Sequence, residues 1–222
     1  IDDYIKALKT NENNNPNVEL IRSFGQKIAD ANEEDLQQII AEHMNIDEII
    51  SYAVVDRIIR NDDGAFHWYC EGNSCENHNY YWYEEPSTAQ LHLIPWDLDN
   101  AFENILYNAN PVTPIADQWG SSRNNCQPFA YGSWGIPQKS AACDKLTRGW
   151  TKFSSTYESL KTEFLNGPLS ITQIDQQIDL WVKQIRSAHT EASNLHEDVQ
   201  NEESWINEIN LFKAQLSKAR QN

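Results

Sequence analysis

Three stretches of the chain carry oxygen-bearing side chains at spacings that could do chemistry. In LHLIPWDLDN, residues 91–100, an apolar run leads into Asp97, and Asp99 follows two positions later. In HNYYWYEE, residues 78–85, Asn79 opens an aromatic run. In NDDG, residues 61–64, Asp62 and Asp63 close a helical pattern. Side chains alternate along a strand, so Asn79, Tyr81 and Tyr83 share one face, as do Leu91, Leu93, Pro95 and Asp97. If odd positions pair with odd, Asn79 lies opposite Asp97 or diagonal to it, within about 7–8 Å. Oxygens so placed suit a hard divalent cation, with Asp99 just past the strand end. An acid on the 61–64 turn would then serve as a general base aimed across at that cation. Each acid also has a plainer reading. Asp97 or Asp99 would cap a helix starting near residue 98, and Asp62 and Asp63 would shape a turn. The D-x-D spacing does not choose between these readings. His67, His78 and His92 show no ligand spacing and read as structural or surface residues. The hairpin Trp and Tyr rings read as core.

The elements that must position these groups follow from periodicity. Residues 1–60 read as helices. Leu20, Ile21, Phe24 and Ile28 repeat at 3.6 residues, and Asn32 is expected to cap a helix carrying Leu36, Ile39 and Ile40. Asn45 caps a third helix with the stripe Ile46, Ile49, Ile50, Ala53, Val54 and Ile58. The period then changes to two, and the runs at 78–85 and 90–97, separated by PSTA, predict a hairpin. Residues 107–142 read as a long irregular loop. From 143 to 222 the pattern returns to helix. Phe153, Tyr157, Leu160 and Phe164 form one stripe, closed by NGP at 166–168. Ser170 and Gln173 form a capping box for a helix burying Ile174, Ile178, Trp181 and Ile185. Trp205, Ile209, Phe212 and Leu216 mark the final helix. The expected fold class is α+β and mostly α, as a single domain over 1–222. It is organised as helices (1–60), a catalytic and metal segment (61–106), a long loop (107–142) and C-terminal helices (143–222).

Composition bounds the partners. Eight Trp and nine Tyr among 222 residues supply apolar mass for a core, which argues against disorder. The net charge of −16 argues against nucleic acid and anionic membranes as partners. No run of about 18 apolar residues predicts a membrane span. Cys70 with Cys75 and Cys126 with Cys143 read as two short-range disulfides of an exported protein. A zinc site from Cys70, Cys75 and His78 is the rival, and its spacing fits no closed four-ligand pattern.

VDRIIRNDDG, NHNYYWYEE and LHLIPWDLDNAF together resemble the signature of the CotH kinase family, named after spore coat protein H. The pattern is a helix ending in Asn-x-Asp, then His-Asn-Tyr-Tyr on a strand, then Ile-Pro-Trp-Asp-x-Asp. The C-terminal stretches LWVKQIRSA and SWINEINLFKAQLSKAR also suit the family, and the resemblance runs from about residue 30 to the end. It implies a protein-kinase-like fold, seen here as the helical C-terminal lobe with one small antiparallel hairpin and a long disulfide-pinned loop. It implies Asp63 as the catalytic Asp that accepts the substrate proton, Asn79 and Asp97 as metal ligands, and Asp99 as a further ligand or support. The link from Asp63 to Asn79 exceeds a kinase catalytic loop by the segment CEGNSCEN, which makes Asp62 the alternative to Asp63. No Gly-rich cradle precedes a Lys, so the N-terminal lobe that covers the nucleotide is expected to lie elsewhere in the parent protein.

The expected function is that of a secreted or cell-surface atypical kinase. It would use ATP with Mg²⁺ or Mn²⁺ (Ca²⁺ in crystals) to phosphorylate Ser or Thr of an exported protein, with the 107–142 loop shaping the acceptor site. Two alternatives stand beside it: a non-catalytic adhesion scaffold with a kinase-like fold, and a kinase-fold enzyme that transfers another group, such as AMP.

Overall fold

The computed structural model describes residues 3–10, 16–61, 63–72, 74–102, 119, 126–131 and 136–220. The fold is α+β and mostly helical. A short helix α1 (Asp3–Ala7) precedes α2 (Glu19–Asp30), α3 (Leu36–His43) and α4 (Ile46–Ile58). Phe24 and Ile28 of α2, Leu36 and Ile40 of α3, and Ile49, Ile50, Ala53 and Val54 of α4 meet in one core, as their 3.6-residue spacing requires. Asn45 caps α4, its Oδ1 accepting the Glu48 N–H at 3.3 Å. The expected cap at Asn32 does not form. Asp35 takes the cap position, and Asn32 instead closes a turn ahead of the helix, accepting the Asp35 N–H at its carbonyl (3.1 Å) and donating from Nδ2 to Asp35 Oδ2 (3.3 Å).

Two small antiparallel sheets follow. Strands β1 (Trp68–Glu71) and β2 (Ser74–Glu76) join β5 (Phe129–Tyr131) and β6 (Ile136–Lys139) in the order β2-β1-β6-β5. The other sheet is the expected hairpin, β3 (Tyr80–Glu85) with β4 (Gln90–Pro95). The four-stranded sheet corrects the irregular reading of 107–142, because that stretch supplies two strands: β6 pairs with β1, Trp68 opposite Lys139 and Tyr69 opposite Gln138, and β5 pairs with β6. Both disulfides form. Cys70–Cys75 joins directly opposed positions of β1 and β2, and Cys126–Cys143 ties the second half of that stretch to the C-terminal helices. With both thiols consumed, the zinc alternative falls.

The C-terminal part comprises α5 (Lys145–Trp150), α6 (Ser154–Asn166), α7 (Ile171–Leu195) and α8 (Glu202–Ala219). Asp144, Ser170 and Asn201 cap three of these, accepting the N–H of Thr147 (2.9 Å), Gln173 (3.4 Å) and Ser204 (2.9 Å). α6 packs along α4, and α5 along α3. α7 and α8 form a pair around a second, smaller core of Ile178, Leu216 and Ala219, flanked by Phe102, Ile174, Val182, Ile209 and Phe212. Trp181 and Ile185, expected inside, are 55% and 52% exposed. The contact with α8 follows Ile178 and Val182 to His189, which stacks on Trp205, and this leaves those two side chains on the flank. Among the described residues no helix is long and apolar enough to cross a membrane.

Candidate active site

The site begins where α4 ends. Asp56, on its last turn, is buried, and its Oδ1 accepts from the Tyr52 hydroxyl (3.1 Å) and from Asn61 Nδ2 (2.9 Å). Asn61 Oδ1 accepts the Asp63 N–H (3.3 Å), and the Tyr52 hydroxyl accepts the Ala65 N–H (3.2 Å). The backbone is therefore fixed on both sides of Asp63 by a polar knot rooted in α4. Burial and the Asp56 charge push the Tyr52 phenol above its ordinary range, so it remains a neutral hydroxyl. Gly64 sits against the knot. A Cβ there would lie 2.6 Å from Asn61 Nδ2, 2.8 Å from Asp56 Oδ1 and 2.9 Å from the Tyr52 oxygen.

The Asp63 carboxylate, 18% exposed, collects donors from both ends of the hairpin. Oδ2 accepts from Asn79 Nδ2 (2.7 Å) and from Asn100 Nδ2 (3.1 Å). Oδ1 meets His78 Nε2. Asn79 Nδ2 also donates to the Asp63 carbonyl (2.8 Å). Asp63 and Asn79 thus come together as the sequence suggested, by a route that differs from the expected register. The hairpin pairs Tyr80 with Pro95 and Tyr81 with Ile94, so odd positions face even ones. Asn79 and Asp97 stand outside the ladder in left-handed backbone, with φ of +62° and +56°. Asn and Asp tolerate that conformation better than most residues with a Cβ, and both side chains leave the strand direction through it. Trp96 N–H donates to the Asn79 carbonyl (3.0 Å) and holds the two ends together.

Asp97 and Asp99 project from the turn after β4. No helix starts at residues 98–102, where Ala101 N–H closes a turn on the Leu98 carbonyl (3.2 Å), so neither acid caps a helix within the described residues. The Asp97 carboxyl is pushed above its ordinary range by lost hydration first, then by the Asp99 charge, a hydrogen bond with Asp99, and the Asp63 charge. Three acids therefore share one neighbourhood. Asp62 lies outside the described residues. Phe102 ends the segment at φ +70°, with its N–H on the Ile59 carbonyl (2.8 Å) and its ring edge-on to Phe212 of α8 (5.2 Å between centroids, 85° between planes).

A divalent cation fits this donor set in one form. Among the described residues no three His, Cys, Asp or Glu side chains gather as a metal cage. Asp97 and Asp99 offer hard carboxylate oxygens with like-charge repulsion still to be neutralised, and Asn79, bonded to Asp63, has an amide oxygen that no hydrogen bond to Asp63 uses. That is the donor set of Mg²⁺ held by one or two carboxylates and completed by water and phosphate oxygens.

The sequence assigns no place at the site to Asn100 or His78, both on Asp63, or to Asn61, which fixes its backbone; His78 reads there as a structural or surface residue or a ligand of the rival zinc site. Asn61 and Asn100 sit inside the quoted motifs, yet nothing in their spacing says which atom they reach. His78 comes to Asp63 only because β1 and β2 fold the intervening chain back. The other two histidines do behave as structural residues. Burial lowers the pKa of His67 to about 3. His92 bridges Glu48 (2.9 Å) and Glu85 (3.5 Å), and Glu48 is the main cause of its raised pKa. The hairpin's outer face also departs from expectation. Tyr80 and Trp82 turn inward, but Tyr81, Tyr83 and Trp96 are exposed, and Tyr81 stacks on Trp96 (5.8 Å, 21°).

The mostly helical chain sets Asp63, just past the end of α4, against Asn79 and the Asp97–Asp99 pair that flank the hairpin. The comparison with protein families points to a kinase-like class. The model described as CotH kinase protein matches residues 2–221, nearly the whole chain, and the chain belongs to that family. No curated protein and no solved structure matches it significantly. Kinase-like membership suggests nucleotide and divalent-metal use in general terms.

Proposed function

We propose that this protein is an exported atypical kinase that transfers the γ-phosphoryl group of ATP to Ser or Thr of another exported protein. The observation that carries the reading is the meeting of Asp63, Asn79 and the Asp97–Asp99 pair at the two ends of one hairpin. An ionised carboxylate has about four acceptor positions; two hydrogen-bond donors occupy Asp63 Oδ2, and the His78 imidazole lies against Oδ1. The remaining Oδ1 position is the one assigned to the acceptor hydroxyl. Asp63 takes that proton as the acceptor oxygen bonds to phosphorus and the bond to the ADP oxygen breaks. Asp97 and Asn79 are the residues that would hold Mg²⁺ or Mn²⁺, with Asp99 in support; the bound cation would offset charge on the phosphates. The exposed Tyr81–Trp96 stack, next to Asp97, offers a flat apolar shelf for a nucleobase. A cover for the nucleotide would come from an N-terminal lobe of the parent protein. Two disulfides suit an exported protein.

The test is Asp97→Ala in the intact protein. Phosphoryl transfer with Mg²⁺ and ATP should fall by at least about 100-fold. The stabilisation by nucleotide, about 2.7 kcal/mol when ligand is 100-fold above its Kd, should also disappear. Undiminished transfer by the variant sinks the metal role. A non-catalytic surface scaffold is the second reading. A melting temperature indifferent to millimolar Mg-ATP in the wild type would support it. Transfer of AMP instead of phosphate would show in the mass of the modified product.

A further inference from the structure

The segment between Asp63 and Asn79 is longer than a kinase catalytic loop needs, and the structure shows what the extra length builds. It folds as β1 and β2, closed at opposed positions by Cys70–Cys75. β1 presents Tyr69, whose ring lies against the His78 imidazole (5.3 Å between centroids, 39° between planes). His78 in turn places Nε2 on Asp63 Oδ1. Tyr69 is half-buried and the His78 side chain is 48% exposed, so the imidazole has one face on the hairpin and an edge on the carboxylate. Asn79 and Asn100 both bind the other oxygen, Oδ2. His78 is therefore the contact that sets the rotation of the carboxylate and keeps the second Oδ1 position directed outward.

We infer that His78 is a positioning residue for Asp63, and that the disulfide-closed β1–β2 hairpin is the brace that holds His78 in place. The inference rests on the proposed function only in giving Asp63 a catalytic task; the brace itself is a property of the fold. An outer partner of this kind is typically worth about 10- to 100-fold in activity when removed. Because it acts on the acid's orientation and not on nucleotide contacts, the loss should fall on kcat and leave the KM for ATP in place.

Two variants separate positioning from packing. His78→Phe keeps a ring against Tyr69 and removes the donor. His78→Gln restores an N–H donor at nearly the same reach as Nε2. The expected result is a kcat about 10- to 100-fold lower in His78→Phe, substantial recovery in His78→Gln, and an unchanged KM for ATP in both. Wild-type turnover in His78→Phe overturns the proposal. So does an equal loss in both variants that tracks their melting temperatures, since that is a packing effect. A second measurement needs no activity. In ¹⁵N-labelled intact protein the His78 Nε2–H should give a protected resonance that is lost in Asp63→Asn. Its presence in a protein that transfers no phosphate would leave the brace standing and refute the kinase reading. Its absence in the wild type refutes the brace whatever the activity.

Discussion

Gly64→Ala tests whether the polar knot at the end of α4 sets the site. Three atoms would lie under 3.0 Å from the new methyl: Asn61 Nδ2 at 2.6 Å, Asp56 Oδ1 at 2.8 Å and the Tyr52 oxygen at 2.9 Å. None belongs to a free side-chain end. Asn61 Nδ2 and the Tyr52 hydroxyl both donate to Asp56, while Asn61 Oδ1 and the Tyr52 oxygen accept the N–H groups of Asp63 and Ala65. The methyl therefore displaces a buried, mutually bonded set, with an overpacking cost of about 1–3 kcal/mol. For a chain of this size that lowers Tm by roughly 2–12 °C. The same displacement moves Asp63, and a shift near 1 Å in a reacting group is worth about 100-fold in rate. Gly149→Ala is the matched control. Its Cβ would lie 2.4 Å from Ile40 Cδ1, the tip of an apolar side chain at the contact of α5 with α3. That substitution should lower Tm without a specific effect on transfer. Calorimetry paired with phosphoryl-transfer kinetics reads both quantities. Gly64→Ala with wild-type Tm and turnover, or with no more loss of turnover than Gly149→Ala at equal Tm, refutes the reasoning.

Further outcomes follow from the same chain. Burial drops the His67 pKa from its ordinary 6.5 to about 3, so between those values the unfolded state binds a proton that the folded state does not. Stability should therefore fall as pH drops through that window, by up to about 1.4 kcal/mol per pH unit, and His67→Leu should flatten this acid limb in chemical denaturation at a series of pH values. The two disulfides close loops with sequence separations of 5 and 17 residues. Loop entropy then assigns about 2 kcal/mol to Cys70–Cys75 and about 3 kcal/mol to Cys126–Cys143, so paired Ser substitutions should lower Tm more at the second, and the reverse order would contradict the entropic account.

Legibility tracked the range of the interaction. Asn45, the α4 stripe and the β3–β4 hairpin depend on neighbours a few residues away, and all three could be read from periodicity. The four-stranded sheet could not, because β1 has four residues, β2 and β5 have three each, and Trp68 finds its partner at Lys139. Asn32 lost its expected cap to Asp35 because several residues of one turn can cap and only the backbone path chooses among them. Trp181 and Ile185 were placed inside because their spacing matches that of Ile178, but only the stripe through Val182 meets α8. At the site, Asp63, Asn79 and Asp97 could be picked out by residue type and motif. The contacts that orient Asp63, from His78 and Asn100, cross 15 and 37 positions of chain and leave no local pattern.

Phe102 couples the far end of the chain to the acidic turn. Its amide is fastened to the end of α4 and its ring to Phe212, far downstream in α8. The segment that follows Asp97 and Asp99 is thus moored to two elements that lie far apart in sequence, and loosening α8 alone would release one of those moorings.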